Sequence, residues 1–221
     1  MYQIIFSVTA LRLKLDLHIH SIHSLDSHNT IDTINTRIRE QGFHGYALAD
    51  HDTIDGLDEA REKAGDLTFI PALEVSAKGA HILVFDPSEV VEPYLNIAET
   101  VDLIHDQGAS AILAHPYGLP MSWVSINQVR EASFDAIEVA NSAQIPYEYI
   151  CGLNQKLADE LGLPVTGGSD SHIPETIGRS YTFVESGSAS VDDVVKAIKL
   201  GNTEVGGSYT HITEWFSKHF R

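Results

Sequence analysis

Six histidines stand where their neighbours and spacing suit metal chemistry: His18, His20, His51, His81, His115 and His172. His18 and His20 are two residues apart, as are Asp170 and His172. A strand places side chains two apart on one face, so each pair can serve one site, and Asp16 is expected on the same face as His18 and His20. Glu74 and the triplet Asp50-His51-Asp52 stand in the same position relative to short apolar runs. Imidazoles with carboxylates are the usual ligands of Zn, Mn and Fe. A lone His-x-His is a weak signal, and a single histidine at a strand end is more often a hydrogen-bonded structural residue. The repetition carries the reading. A buried polar group costs ~1–3 kcal/mol unless paired, yet one apolar run after another ends in such a group.

The elements that must position these residues follow from hydrophobic periodicity. Strands are expected at Leu13–His20, Tyr46–Ala49, Thr68–Val75, His81–Phe85, Ala111–Ala114, Ala136–Ala140, Pro164–Gly168 and Tyr181–Val184. Helices are expected at Thr30–Gln41, Ile54–Ala64, Glu92–Gln107, Ser125–Glu131, Tyr147–Leu161 and Val191–Leu200. Alternating strands and helices imply an α/β fold with a mostly parallel sheet and right-handed crossovers. A closed or nearly closed β/α barrel brings all carboxyl ends of its strands to one mouth, where distant residues converge. A doubly wound open sheet is the alternative, weakened because no glycine-rich nucleotide fingerprint follows the first strand.

Composition narrows the function classes. The chain has 221 residues, 43% of them hydrophobic and 20% charged, which is ordinary for a folded domain. The formal net charge of −17 argues against broad binding to nucleic acid phosphates. The single cysteine, Cys151, excludes an internal disulfide and suits a reducing, cytoplasmic compartment. No run reaches the ~18–20 apolar residues of a membrane span, and no signal peptide is expected in the apolar Tyr2–Leu13 stretch. Residues 1–12 read as an N-terminal extension and 13–221 as one domain. Ile212, Trp215, Phe216 and Phe220 form an amphipathic stripe expected to dock on the barrel, and nothing selects an oligomeric state.

Several separated motifs resemble those of the PHP (polymerase and histidinol phosphatase) family. They are Asp16-Leu17-His18-Ile19-His20-Ser21, Ala49-Asp50-His51-Asp52-Thr53, Glu74-Val75-Ser76 with His81, Ala114-His115-Pro116, and Gly168-Ser169-Asp170-Ser171-His172. The resemblance covers about residues 13–205. It implies a distorted seven-stranded β/α barrel, two or three divalent ions (Mn, Fe or Zn) and phosphoester hydrolysis. Carried over by position, it assigns His18, His20, Glu74 and Asp170 to a first ion. Glu74 bridges to a second, completed by His81 and His115, and Asp26, His51 and His172 hold a third. Glu74, Asp170 and His172 are the catalytic candidates within this set.

Paired cations can activate a water and clamp the attacking and leaving oxygens of a phosphoester. Three divalent ions against Asp26, Glu74 and Asp170 would leave about +3, an anion trap within an acidic protein. Asp16 is expected to orient a ligand imidazole or to be structural, and Asp52 could cap the helix expected at Ile54. Asn141, Arg179 and Lys78 are candidate substrate contacts. The reading is a metal-dependent phosphoric ester hydrolase acting on a small phosphomonoester: a nucleotide, nucleoside bisphosphate or sugar phosphate. The expected partner is that small substrate, with no extended nucleic acid and no membrane. The alternatives are an exonuclease on short oligonucleotide ends, a metal-dependent amidohydrolase and a non-catalytic metal-binding module.

Overall fold

The computed structural model describes residues 10–118 and 122–210. The amphipathic stripe at Ile212–Phe220 lies outside the described residues. Strands β1 (Leu11–Ile19), β2 (Gly45–Leu48), β3 (Thr68–Ala77), β4 (Ala80–Phe85), β5 (Ser110–Ala114), β6 (Ala136–Asn141) and β7 (Val165–Gly168) lie side by side in chain order. Two more, β8 (Ser180–Ser186) and β9 (Thr203–Gly207), add antiparallel at the free edge of β1. The sheet thus has nine strands rather than the seven expected. The carboxyl end of β7 reaches β1 through the parallel bridge Ile19↔Ser171, where Asp170 N donates to His18 O at 2.8 Å and His20 N to Ser171 O at 3.0 Å. These bonds bend the sheet into a nearly closed barrel.

Among β1–β7 most neighbours are parallel, and β4 is the exception, antiparallel to both β3 and β5. Its reversal explains why its metal-type residue, His81, opens the strand while the others close theirs. Helices α1 (Ile31–Glu40), α2 (Leu57–Ala64), α3 (Ile97–Asp106), α4 (Ile126–Ala132), α5 (Tyr147–Leu161) and α6 (Val191–Lys199) complete the fold. Thr30 and Ser190 cap α1 and α6 through their hydroxyls, and Ser125 with Gln128 forms a capping box on α4. Helix α3 begins later than expected. Pro93 precedes it, Tyr94 has φ 63°, and Tyr94 N and Lys78 N bond Ser76 O and Leu95 O, pinning the segment beside β3. Helix α2 starts at Leu57 on Gly56, so Asp52 caps no helix.

The apolar residues form layers. Leu15, Leu17, Ala47, Ile70, Leu83 and Ile112 belong to one interior cluster. A second cluster joins Val75, Val84 and Leu113 to α3 and α5, and a third joins Ile19, Tyr46 and Leu48 to α1 and α2. An irregularity in the pairing of β1 between Asp16 and Ile19 divides that strand. Leu15 before it and Leu17 within it face the interior; at its far end Ile19 faces the helices. His18 and His20 are thereby aimed inward, and Asp16 does not share their face as simple alternation predicted.

Candidate metal centre

The residues expected at the mouth converge on Glu74, which is 1% exposed on β3. Its Oε2 lies 3.3 Å from His18 Nε2, 3.4 Å from His20 Nε2 and 3.1 Å from His51 Nδ1. Its Oε1 lies 3.0 Å from both His81 Nδ1 and His115 Nε2. Asp170 Oδ1 stands 3.6 Å from His18 Nε2 and 3.2 Å from His20 Nε2, and the two Nε2 atoms are 3.1 Å apart. Four donors at ~2.0–2.1 Å around one tetrahedral ion would be separated by about 3.4 Å. The set His18, His20, Glu74 and Asp170 fits that spacing.

The remaining expected ligands gather at the rim. Asp26 Oδ2 lies 3.1 Å from His172 Nε2 and 3.7 Å from His51 Nε2. His172 Nε2 is buried and makes no hydrogen bond, so its close approach to Asp26 is poorly aligned for a ring N–H donor. An imidazole nitrogen left without a proton partner beside a carboxylate suits a shared cation. His51 faces both groups, with Nδ1 toward Glu74 and Nε2 toward Asp26.

Neighbouring groups select which ring nitrogen faces the centre. His18 Nδ1 bonds Glu138 at 3.0 Å, and His172 Nδ1–H donates to Asp170 O at 3.0 Å. His20 Nδ1 meets Ser24 Oγ at 3.3 Å, whose hydroxyl donates to Asp50 Oδ1 at 3.0 Å. Asp50 also accepts Ser21 N and Ser21 Oγ. His115 Nδ1 meets Ser122 Oγ at 3.4 Å. Asp52 accepts Ser76 N and Ser76 Oγ, tying its loop to β3.

The electrostatics favour a cation. Burial opposes ionisation of Glu74, yet His18, His81 and His51 outweigh it and hold the carboxyl well below its usual range. Asp170 is likewise held well below, against its burial, by His18 and His20. Burial disfavours a charged His18, but Glu138, Glu74 and Asp170 raise it well above the ordinary histidine range. Burial, joined by His172, pushes His20 well below that range. The carboxylates thus stabilise positive charge at the centre.

The ligand-bearing backbone is strained. Asp52, His115 and Asp170 have φ of 51°, 28° and 52°, half of the non-glycine residues with positive φ among those described. Each such conformation costs about 1–3 kcal/mol and persists where surrounding contacts over-determine it.

Other expectations fare differently. Asp16 orients no imidazole: it accepts the backbone N–H groups of His18, Ser169 and Gly178 at 3.3, 2.8 and 2.8 Å, stapling β1 to the segment after β7. Burial pushes its carboxyl up to about 6 against those donors. Asn141 is fully buried, and its amide donates to Glu138 Oε2 and Asp170 Oδ2 while its oxygen accepts Ala143 N. Its amide thus ties two carboxylates of the centre together. Arg179 lines a separate cavity of about 510 Å³ with Arg37, Gln41 and Ser208, without any of the expected metal ligands. Lys78 is exposed in the β3–β4 turn.

Glu138 is the residue the sequence reading missed. It lies on β6 between Ile137 and Val139, which face the helices. The available signal was that alternation, which aims a carboxylate at position 138 into the barrel. With it, three divalent ions would face four carboxylates and leave about +2 rather than +3.

Comparisons with known proteins agree with this architecture. A family model described as PHP-associated matches residues 151–203. A "probable phosphatase" of Thermoanaerobacter sp. strain X514 is 23% identical over 245 aligned positions, covering 92% of this chain and 96% of that protein. Among solved structures, a two-domain Bacteroides vulgatus protein containing a predicted PHP-like metal-dependent phosphoesterase superposes with a TM-score of 0.75 at 20% identity. That match covers 90% of this chain and 66% of the other, so the chain spans just under two thirds of its length. A lesion-specific endonuclease from Pyrococcus furiosus superposes with a TM-score of 0.70 at 19% identity, covering 88% of this chain and 58% of that one.

Proposed function

From the premise that this chain is PHP-like in motifs and fold, we propose that it is a metal-dependent phosphoric ester hydrolase whose substrate is a small phosphomonoester. The observation that carries the reading is the division of Glu74: one oxygen faces His18 and His20, the other His81 and His115. Such a carboxylate suits two cations held at a fixed separation. His18, His20, Glu74 and Asp170 would hold one, Glu74, His81 and His115 a second, and Asp26, His51 and His172 a third. Bound divalent cations, Mn, Fe or Zn, supply positive charge that activates water and stabilises the charge developing on the phosphoryl oxygens.

The chain's own residues prepare that chemistry. Ser24, Glu138, Ser122 and the Asp170 carbonyl hold Nδ1 of four histidines, leaving each Nε2 to face inward. Asp26, half exposed, and His51, a quarter exposed, mark the side open to solvent, where a phosphate would enter. A nucleotide, nucleoside bisphosphate or sugar phosphate fits the proposal, as does a cytoplasmic location for a chain with one cysteine. Among the described residues no helix is long and apolar enough to cross a membrane. A second reading, cleavage of short oligonucleotide ends, draws support from the similarity to the Pyrococcus endonuclease.

Metal analysis combined with phosphate release from a mononucleotide and sugar-phosphate panel tests the proposal. Two or three ions per chain are expected, with turnover abolished by prolonged chelation and restored by Mn²⁺, Fe²⁺ or Zn²⁺. Full turnover by demonstrably metal-free protein would overturn it.

A further inference from the structure

We infer that Glu138 is the positioning residue of the metal centre, fixing His18, His115 and, through Asn141, Asp170 in one hydrogen-bonded unit. Its carboxylate is 1% exposed. Oε1 accepts from His18 Nδ1 at 3.0 Å. Oε2 accepts the backbone N–H of His115 at 3.1 Å and the Asn141 amide at 2.9 Å. The same amide nitrogen reaches Asp170 Oδ2 at 3.2 Å.

Both oxygens are therefore supplied from within the protein. Although His18, His115 and Glu138 lie close enough together to be considered as ligands themselves, Glu138 meets His115 through the backbone and His18 on the side away from Glu74. Its action passes through the ligands.

A buried carboxylate is costly unless well paired, and each of its partners here is a metal-ligand candidate or touches one. The bond to His18 fixes the Nδ1–H tautomer and aims Nε2 at Glu74 and Asp170, while the anion makes that nitrogen a stronger donor. The bond to His115 N holds a backbone with φ 28° at a strand end. One side chain on β6 thus ties together the ends of β1, β5 and β7.

The inference rests on the cation reading of the cluster, which zinc binding by the unsubstituted chain tests separately. The experiment compares the unsubstituted protein with Glu138→Gln. Zinc affinity is read by competition with a chromophoric chelator, and the His18 tautomer by nitrogen-15 NMR of labelled histidine. Gln can accept at only one end, and with its oxygen on the two donors His115 N and Asn141 its amide NH2 faces His18 Nδ1. The variant should bind zinc roughly 10–100-fold more weakly, and its His18 should lose the single Nδ1–H signature of the unsubstituted protein. A role in folding alone would leave the tautomer of the folded fraction unmoved. Unchanged zinc affinity in folded Glu138→Gln would overturn the inference. So would an Nε2–H tautomer of His18 in the unsubstituted protein, a measurement that stands even if the variant does not fold. If the unsubstituted chain binds no zinc, the cation reading fails, and whether His18 Nδ1–H is hydrogen-bonded to Glu138 still decides whether Glu138 orients His18.

Discussion

Gly168 lies so close to His18 that a Cβ built on it would fall 2.3 Å from the His18 Cβ and 2.6 Å from its backbone nitrogen. The glycine is what allows β7 to approach β1 and set Asp170 beside His18. Gly168→Ala would meet backbone that cannot swing aside, and overpacking of this kind costs ~1–3 kcal/mol or more. Urea denaturation should show that loss, with weaker metal binding. An alanine variant as stable as the unsubstituted protein would show that the seam between β7 and β1 has room to give.

Glu74→Gln removes the charge shared by the two ligand sets while keeping the side chain's size. Turnover should fall by roughly two orders of magnitude or more, with an unchanged circular dichroism spectrum. His105 bonds Asp135 at 3.0 Å and His44 accepts Lys14 N at 3.0 Å, both away from the centre. His105→Ala and His44→Ala should leave turnover nearly unchanged. An inactive His105 variant beside an active Glu74 variant would reverse the assignment.

Asp135 carries a pH-dependent share of stability. Burial opposes its ionisation, but the Ala111 N–H, Lys199 and His105 together hold its carboxyl below the usual range. A carboxyl depressed in the folded state stabilises above its unfolded value of about 3.9 and loses that contribution as pH falls through its folded value. The stability gap between the unsubstituted protein and Asp135→Asn should be widest near neutral pH and shrink steadily below about pH 4. Denaturation midpoints across that range give the answer. A gap independent of pH would show that the hydrogen bonds, rather than the charge, carry the effect.

Substrate size should follow from the distribution of charge. The chain has only 14 Lys and Arg, and Arg12, Arg37, Arg39, Arg61, Lys63 and Lys199 are each within 4 Å of a carboxylate. Affinity for long nucleic acid comes from such cations and falls steeply with salt. Small phosphomonoesters should turn over with modest salt dependence. A labelled 20-mer should bind weakly at ~150 mM salt, where screening acts over ~8 Å. Efficient degradation of the 20-mer without turnover of any mononucleotide or sugar phosphate would favour the nuclease reading.

Most of the architecture was legible because strand and helix periods alternate cleanly, and α5 matches its expected bounds. The residues of the centre could be read because imidazoles and carboxylates are conspicuous after apolar strands. Glu138 was not, since one acid within Ala-Ile-Glu-Val-Ala reads as the solvent face of a half-buried strand until the barrel's interior is known. The structural role of Asp16 was among those expected, but its face was misjudged, because the irregularity in β1 breaks the alternation that the expectation relied on. β9, Thr-Glu-Val-Gly-Gly, has the glycine content of a loop and becomes a strand by pairing with β8.

The seam between β1 and the end of β7 has a consequence for how the protein is made. His18 and His20 leave the ribosome some 150 residues ahead of Asp170 and His172. The bonds that close the barrel join these far-separated stretches, a contact of high sequence separation that forms late because a long loop must first be closed. Until then the two amino-terminal histidines lack half of the ligands they face in the finished barrel. Cation capture by the complete set is therefore a property of the closed barrel, and a nascent fragment ending before residue 170 has no route to it.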